Sequence, residues 1–126
     1  MRDRSAWTWH IGAGVVVLVL LGLHMAIMHL NPTFGFGSAP GAKPTDWASV
    51  FERMQSLFFA VTYVILLGAA LYHGFYGLRT ILFELNPGRR LRTAINATLI
   101  TVGVGLFLFG SWAALAAPGA ATSMGA

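Results

Sequence analysis

The sequence predicts an all-α integral membrane fold, a bundle of three transmembrane helices with its N-terminus in the cytoplasm. Three observations carry that prediction. Hydrophobic residues make up 56% of the 126 and charged residues only 10%, too little polar surface for a soluble domain. Three apolar runs each reach the roughly 20 residues that a bilayer core requires. The charges between the runs are uneven, with Arg2, Arg4, Arg79, Arg89, Arg90 and Arg92 on one side and Lys43 and Arg53 on the other, and the positive-inside rule assigns the first group to the cytoplasm.

Residues 1–126 read as a single membrane domain. The first span, residues 9–30, contains no Asp, Glu, Lys or Arg and is expected to end at Asn31-Pro32, where proline stops a helix. It is longer than the apolar core of a signal peptide, and Pro40 follows the one small-residue cleavage stretch, Gly37-Ser38-Ala39, so the span is expected to stay in place. The Gly- and Pro-rich residues 33–45 read as an irregular external loop, in which Thr45 or Asp46 suits the cap of a short helix.

The second span, residues 54–83, exceeds the bilayer, so its end bearing Arg79 and Glu84 projects past the hydrocarbon. It is broken at Asn86-Pro87-Gly88. The third, residues 93–117, stops at Pro118-Gly119 and leaves 118–126 as a flexible tail. Trp7 and Trp9 at one end, with Trp47 and Trp112 at the other, suit two interfacial aromatic belts.

Composition also narrows the chemistry. With no cysteine, the chain has no disulfide, no thiolate metal site and no thioether-linked haem, so any cofactor is held by His, Met or oxygen ligands. The net charge of +4 arises from residues flanking apolar spans, which are topology signals rather than a nucleic-acid patch.

His24 and His73 are the candidate functional residues, because an ionisable side chain in hydrocarbon needs a partner. Hydrogen bonding to a neighbouring helix would also satisfy each of them. Entering from the cytoplasm, His24 lies roughly 20 Å along the first helix, and the antiparallel second helix brings His73 nearer the cytoplasm. At different depths the two imidazoles do not serve one porphyrin, so each would need a second histidine from another chain.

His10, Ala13, Val17, Leu20 and Met28 share the face of His24. Ala69, Tyr76, Gly77, Thr80 and Glu84 share that of His73, where Gly77 leaves space for a large ring or for helix packing. His10 and His29, at the ends of their span, are expected to reach headgroups or water. Arg79 has three candidate partners: a haem propionate, Glu84 or a lipid phosphate.

The stretch Leu71-Tyr72-His73-Gly74-Phe75-Tyr76-Gly77-Leu78-Arg79 resembles the helix of succinate dehydrogenase and fumarate reductase cytochrome b anchors in which glycine follows a haem-ligating histidine by four residues. Gly14, ten residues before His24, resembles the first helix in the second half of the diheme anchors. Glu52-Arg53-Met54 and the basic turn over 86–92 fit the same half. The resemblance covers about residues 7–115. Three positions depart from it: Ile11-Gly12-Ala13-Gly14 replaces an Arg-x-Ser/Thr-Gly motif that helps build a quinone site, Leu71 replaces an acid associated with proton movement, and Glu84-Leu85 replaces Asp-Tyr.

The resemblance implies a haem b-binding membrane anchor of a succinate:quinone oxidoreductase (complex II), a non-catalytic subunit in a bacterial or archaeal cytoplasmic membrane. It would pass electrons between an iron–sulfur subunit and quinone, beside a flavoprotein and a second anchor chain. His73 and His24 would be axial ligands of two haems shared with that second anchor, with Gly77 and Arg79 lining the cofactor. The alternative is a haem-free transport or structural protein whose histidines are packed polar groups.

Overall fold

The computed structural model describes residues 2–34 and 43–124, side chains near the termini and around Asn31 excepted. The described residues form four helices, α1 (Arg2–Phe34), α2 (Trp47–Gln55), α3 (Leu57–Glu84) and α4 (Arg89–Met124). Three of them are long and apolar enough to cross a membrane, over Arg4–Leu30, Leu57–Glu84 and Arg89–Ala116. The expected three-span all-α fold is therefore found. Residues 35–42, the greater part of the expected external loop, and 125–126, the end of the expected tail, lie outside the described residues.

Several boundaries differ from expectation. Helix α1 starts at Arg2 and passes Asn31-Pro32 to Phe34, and α4 passes Pro118 to Met124, so residues 118–124 are helical and not a loose tail. Proline removes one backbone donor and bends a helix without having to end it, and a helix that runs on past the hydrocarbon delivers its unpaired terminal groups to water. The basic residues Arg89, Arg90 and Arg92 belong to the first turn of α4, not to a turn before it.

The short helix expected near Asp46 exists as α2, with Asp46 at its N-cap in extended backbone but without a side-chain cap bond. It ends at Ser56, also extended (φ −82°, ψ 121°), so the second span starts at Leu57 and not at 54. The break at Asn86-Pro87-Gly88 is as expected. Asn86 takes the left-handed conformation (φ 50°), which Asn tolerates better than most residues. Arg92 braces that turn, its Nε donating to the Pro87 carbonyl (2.9 Å) and its Nη2 to Asn86 Oδ1 (3.0 Å).

The spans form an open row. Helix α3 packs against α1 on one side and α4 on the other, while α1 and α4 make no contact among the described residues. Small residues permit the close approach: a Cβ on Gly110 would lie 2.5 Å from Leu67 Cδ2, and one on Gly103 would lie 2.9 Å from Phe75, the packing by which membrane helices associate.

Very little is enclosed. Ala60 and Ala114 are the only fully buried apolar residues among those described, and side chains such as Leu18, Ile65, Ile100 and Leu108 face outward. In water this surface would be untenable; in lipid or against another chain it is the expected surface. At the end opposite Arg4, α2 lies across α3 and α4, with Ser49 and Arg53 buried beneath it and the Arg53 guanidinium donating to the Pro44 carbonyl. Trp7 and Trp9 at one end, and Trp47 and Trp112 at the other, are all more than half exposed, as interfacial belts require.

Candidate functional site

The site is a seam of imidazole and phenol rings between α1 and α3. On α1 the half-buried residues are Ala6, His10, Ala13, Gly14, Val17, Leu20, His24, Ile27 and Met28, a stripe at helical spacing that keeps one face on α3. His29 falls outside it. Exposed, it donates from Nδ1 to the Met25 carbonyl of its own helix (2.8 Å), in keeping with an interfacial residue.

His73 is the better constrained of the two candidates. Its ring lies against Gly14, so closely that a Cβ there would come within 2.9 Å of Cε1 and 3.0 Å of Nδ1. The bare backbone at Gly14 lets Nδ1 reach the His10 carbonyl at 3.1 Å. A carbonyl only accepts, so Nδ1 carries a proton, which leaves Nε2 as the nitrogen whose lone pair is available in the neutral form of the ring. Nε2 has no hydrogen bond among the described residues.

His10 points into the seam, not to headgroups or water. Its ring stacks on His73 (centroids 4.2 Å apart, planes 6° apart) and meets Tyr76 at 4.9 Å. Its Nδ1 is buried without a partner. The His10 edge also occupies the ground beside Gly77, where Cε1 would lie 3.6 Å from a Cβ, so the space at Gly77 is filled by this chain. Tyr72 lies beside Tyr76 with its ring tilted (5.9 Å, 31°) and ties the seam to the start of α1, its hydroxyl donating to the Ala6 carbonyl (3.1 Å).

His24 sits elsewhere, half-buried with its ring edge-on to Tyr63 (5.5 Å, 77°) and without a hydrogen bond among the described residues. The 14 residues from His10 to His24 correspond to about 21 Å of helix. Since His10 is level with His73, the two candidates belong to different depths and are not brought together.

Arg79 faces α4. Six residues from His73, it is turned about 120° away from it around α3. Its Nε donates to Asn96 Oδ1 (2.7 Å) and its guanidinium lies 4.3 Å from the Phe83 ring. It makes no ion pair with Glu84, which removes one of its three expected partners.

His10 and Asn96 are the residues whose roles the sequence reading missed. The signal for His10 was present, since its 14-residue separation from His24 puts both on one face. The pairing of Asn96 with Arg79 depends on helix register, which local sequence does not carry.

No group of three or more His, Cys, Asp or Glu side chains converges as a metal site among the described residues. Haem fits the donor set at His73: an imidazole with Nδ1 held on a carbonyl and Nε2 unused is the usual arrangement of a histidine that binds a metal. His24 offers the same donor without the orienting bond.

The fold and the seam define an integral membrane subunit carrying imidazoles at two depths. A family model described as succinate dehydrogenase/fumarate reductase transmembrane subunit matches residues 3–112. A succinate dehydrogenase hydrophobic membrane anchor subunit from Archaeoglobus fulgidus is 28% identical over 108 residues, covering 86% of this chain and 85% of that one. No solved structure matches. The chain belongs to the succinate dehydrogenase/fumarate reductase transmembrane subunit family, and as such is a membrane anchor that works with other subunits.

Proposed function

We propose that this anchor binds haem b and carries electrons between an iron–sulfur subunit and quinone in a succinate:quinone oxidoreductase. The observation that carries the proposal is the Nδ1–H of His73 held on the His10 carbonyl, which leaves Nε2 as the donor for iron. His73 would hold one haem and His24 a second. His10 is level with His73 but stacked face to face on it, so it would not serve as the opposite ligand, and His24 has no second imidazole beside it among the described residues. The opposite ligands would come from a second anchor chain. When bound, haem with two histidine ligands supplies one-electron transfer without an open coordination position.

The chain's own residues do the positioning. Gly14 admits the His73 ring, His10 covers one face of it, and Tyr76 lies against His10. Tyr63 bounds His24. Arg79, turned toward α4 and held by Asn96, is left out of the haem set. The arginine-rich end, with Arg4, Arg79, Arg89, Arg90 and Arg92, would lie on the cytoplasmic side of a bacterial or archaeal membrane, where a flavoprotein and an iron–sulfur subunit would dock.

Purification of the complex through a tag on this chain tests the reading. A b-type α-band, reduced when succinate is added and co-eluting with flavin, is expected. A complex without that band would leave the haem-free alternative standing.

A further inference from the structure

Beside the histidine seam, and sharing Tyr72 and Tyr76 with it, α3 and α4 line an open groove of about 440 Å³ with almost wholly apolar walls. It runs from Arg79 and Asn96 at one end to Gly68 and Phe107 at the other, about 16 Å at the helical rise. Phe107 packs so tightly on Gly68 that a Cβ there would meet it at 3.1 Å, which closes the far end. Phe75, seated on Gly103, forms part of the wall.

Length and wall chemistry identify what fits. The length, about 16 Å, matches half of a hydrocarbon core roughly 30 Å thick, one leaflet. The groove's walls are almost wholly apolar along that length, which suits a hydrocarbon chain.

The polar end selects a charge. Arg79 uses Nε on Asn96 and lies over Phe83, while Arg92 approaches the same ring at 5.4 Å. Neither makes an ion pair among the described residues, and both Arg79 Nη atoms are without a hydrogen-bond partner there. Two guanidiniums around one ring without a carboxylate call for an anion, and a phosphate accepts from a guanidinium in bidentate fashion.

We propose that this groove is a specific site for an anionic glycerophospholipid, one chain lying between α3 and α4 with its phosphate on Arg79. The site is independent of whether His73 or His24 binds haem. The other anion that Arg79 has been expected to meet, a haem propionate, is an outcome of the test.

The whole complex, stripped in detergent, is mixed with vesicles of equal parts phosphatidylglycerol and phosphatidylcholine, re-extracted, and assayed for retained lipid by native mass spectrometry. The wild type is expected to keep about one phosphatidylglycerol per copy of this chain in preference to phosphatidylcholine. Arg79→Gln is expected to lower that retention at least tenfold, and Val104→Trp, a plug at an exposed position on the groove wall, to abolish it, with haem absorbance unchanged in both. Equal retention of the two lipids, or retention indifferent to both substitutions, overturns the proposal. So does loss of haem in Arg79→Gln with phosphatidylglycerol still held, which assigns Arg79 to a propionate. Neutral quinone found in the groove in place of lipid also overturns it.

Discussion

His73 and His24 are the same residue type on adjacent helices of one membrane seam, yet the chain treats them differently. His73 is held by a backbone carbonyl, a stacked imidazole and a glycine that leaves room for its ring. His24 has one aromatic neighbour and no hydrogen bond within the described residues. One half-site is organised within this polypeptide. The other depends on what another chain brings. A metal-ligating histidine needs its second nitrogen fixed, so the orienting acceptor for His24 is expected on the partner subunit.

The comparison is broken most severely at Gly14. A side chain there would drive into the His73 ring, so Gly14→Leu is expected to abolish the haem assigned to His73 and to cost about 1–3 kcal/mol from overpacking. Gly22, near His24, faces open space, so Gly22→Leu is expected to leave haem content unchanged. Haem-to-protein ratios of the two variants check both statements.

A smaller effect is expected at Tyr63. Removing its ring in Tyr63→Ala takes away an aromatic pair worth about 0.5–1.5 kcal/mol and frees the His24 imidazole. Low-temperature electron paramagnetic resonance should show the low-spin signal assigned to His24 shifted or broadened, with that assigned to His73 untouched. In His10→Ala the reverse is expected: loss of a stacked face worth about 1 kcal/mol broadens the signal assigned to His73, and His10→Phe, which keeps a flat ring, restores most of it.

The smallest effect is that of Tyr72→Phe. It removes one hydroxyl bond to the Ala6 carbonyl, worth about 0.5–1 kcal/mol in a membrane protein, and should lower the midpoint of detergent-induced unfolding slightly without moving either haem signal.

How much of this was legible depends on which interactions are local. The spans follow from apolar length, and the face shared by His10 and His24 follows from helical period, so both were readable in the sequence. The inward role of His10 was not, because it depends on how α1 is registered against α3, and its place near the end of a span argued for water. Gly77 read as open space for the same reason: the ring that fills it comes from 67 residues away. Pro32 and Pro118 read as stops because proline ends helices in soluble proteins, whereas these helices run on through them. Arg79 offered three partners in sequence, and only the packing of α3 on α4 brought Asn96 to it.

The central claim is that two histidines at different depths each hold a separate haem with help from another chain. Pyridine haemochrome assay of the intact complex, alongside His73→Ala and His24→Ala, measures it directly. Two haems per copy of this chain in the wild type, falling to one in either variant, is the predicted result. Both haems retained in His73→Ala, or both lost together in either variant, would contradict it.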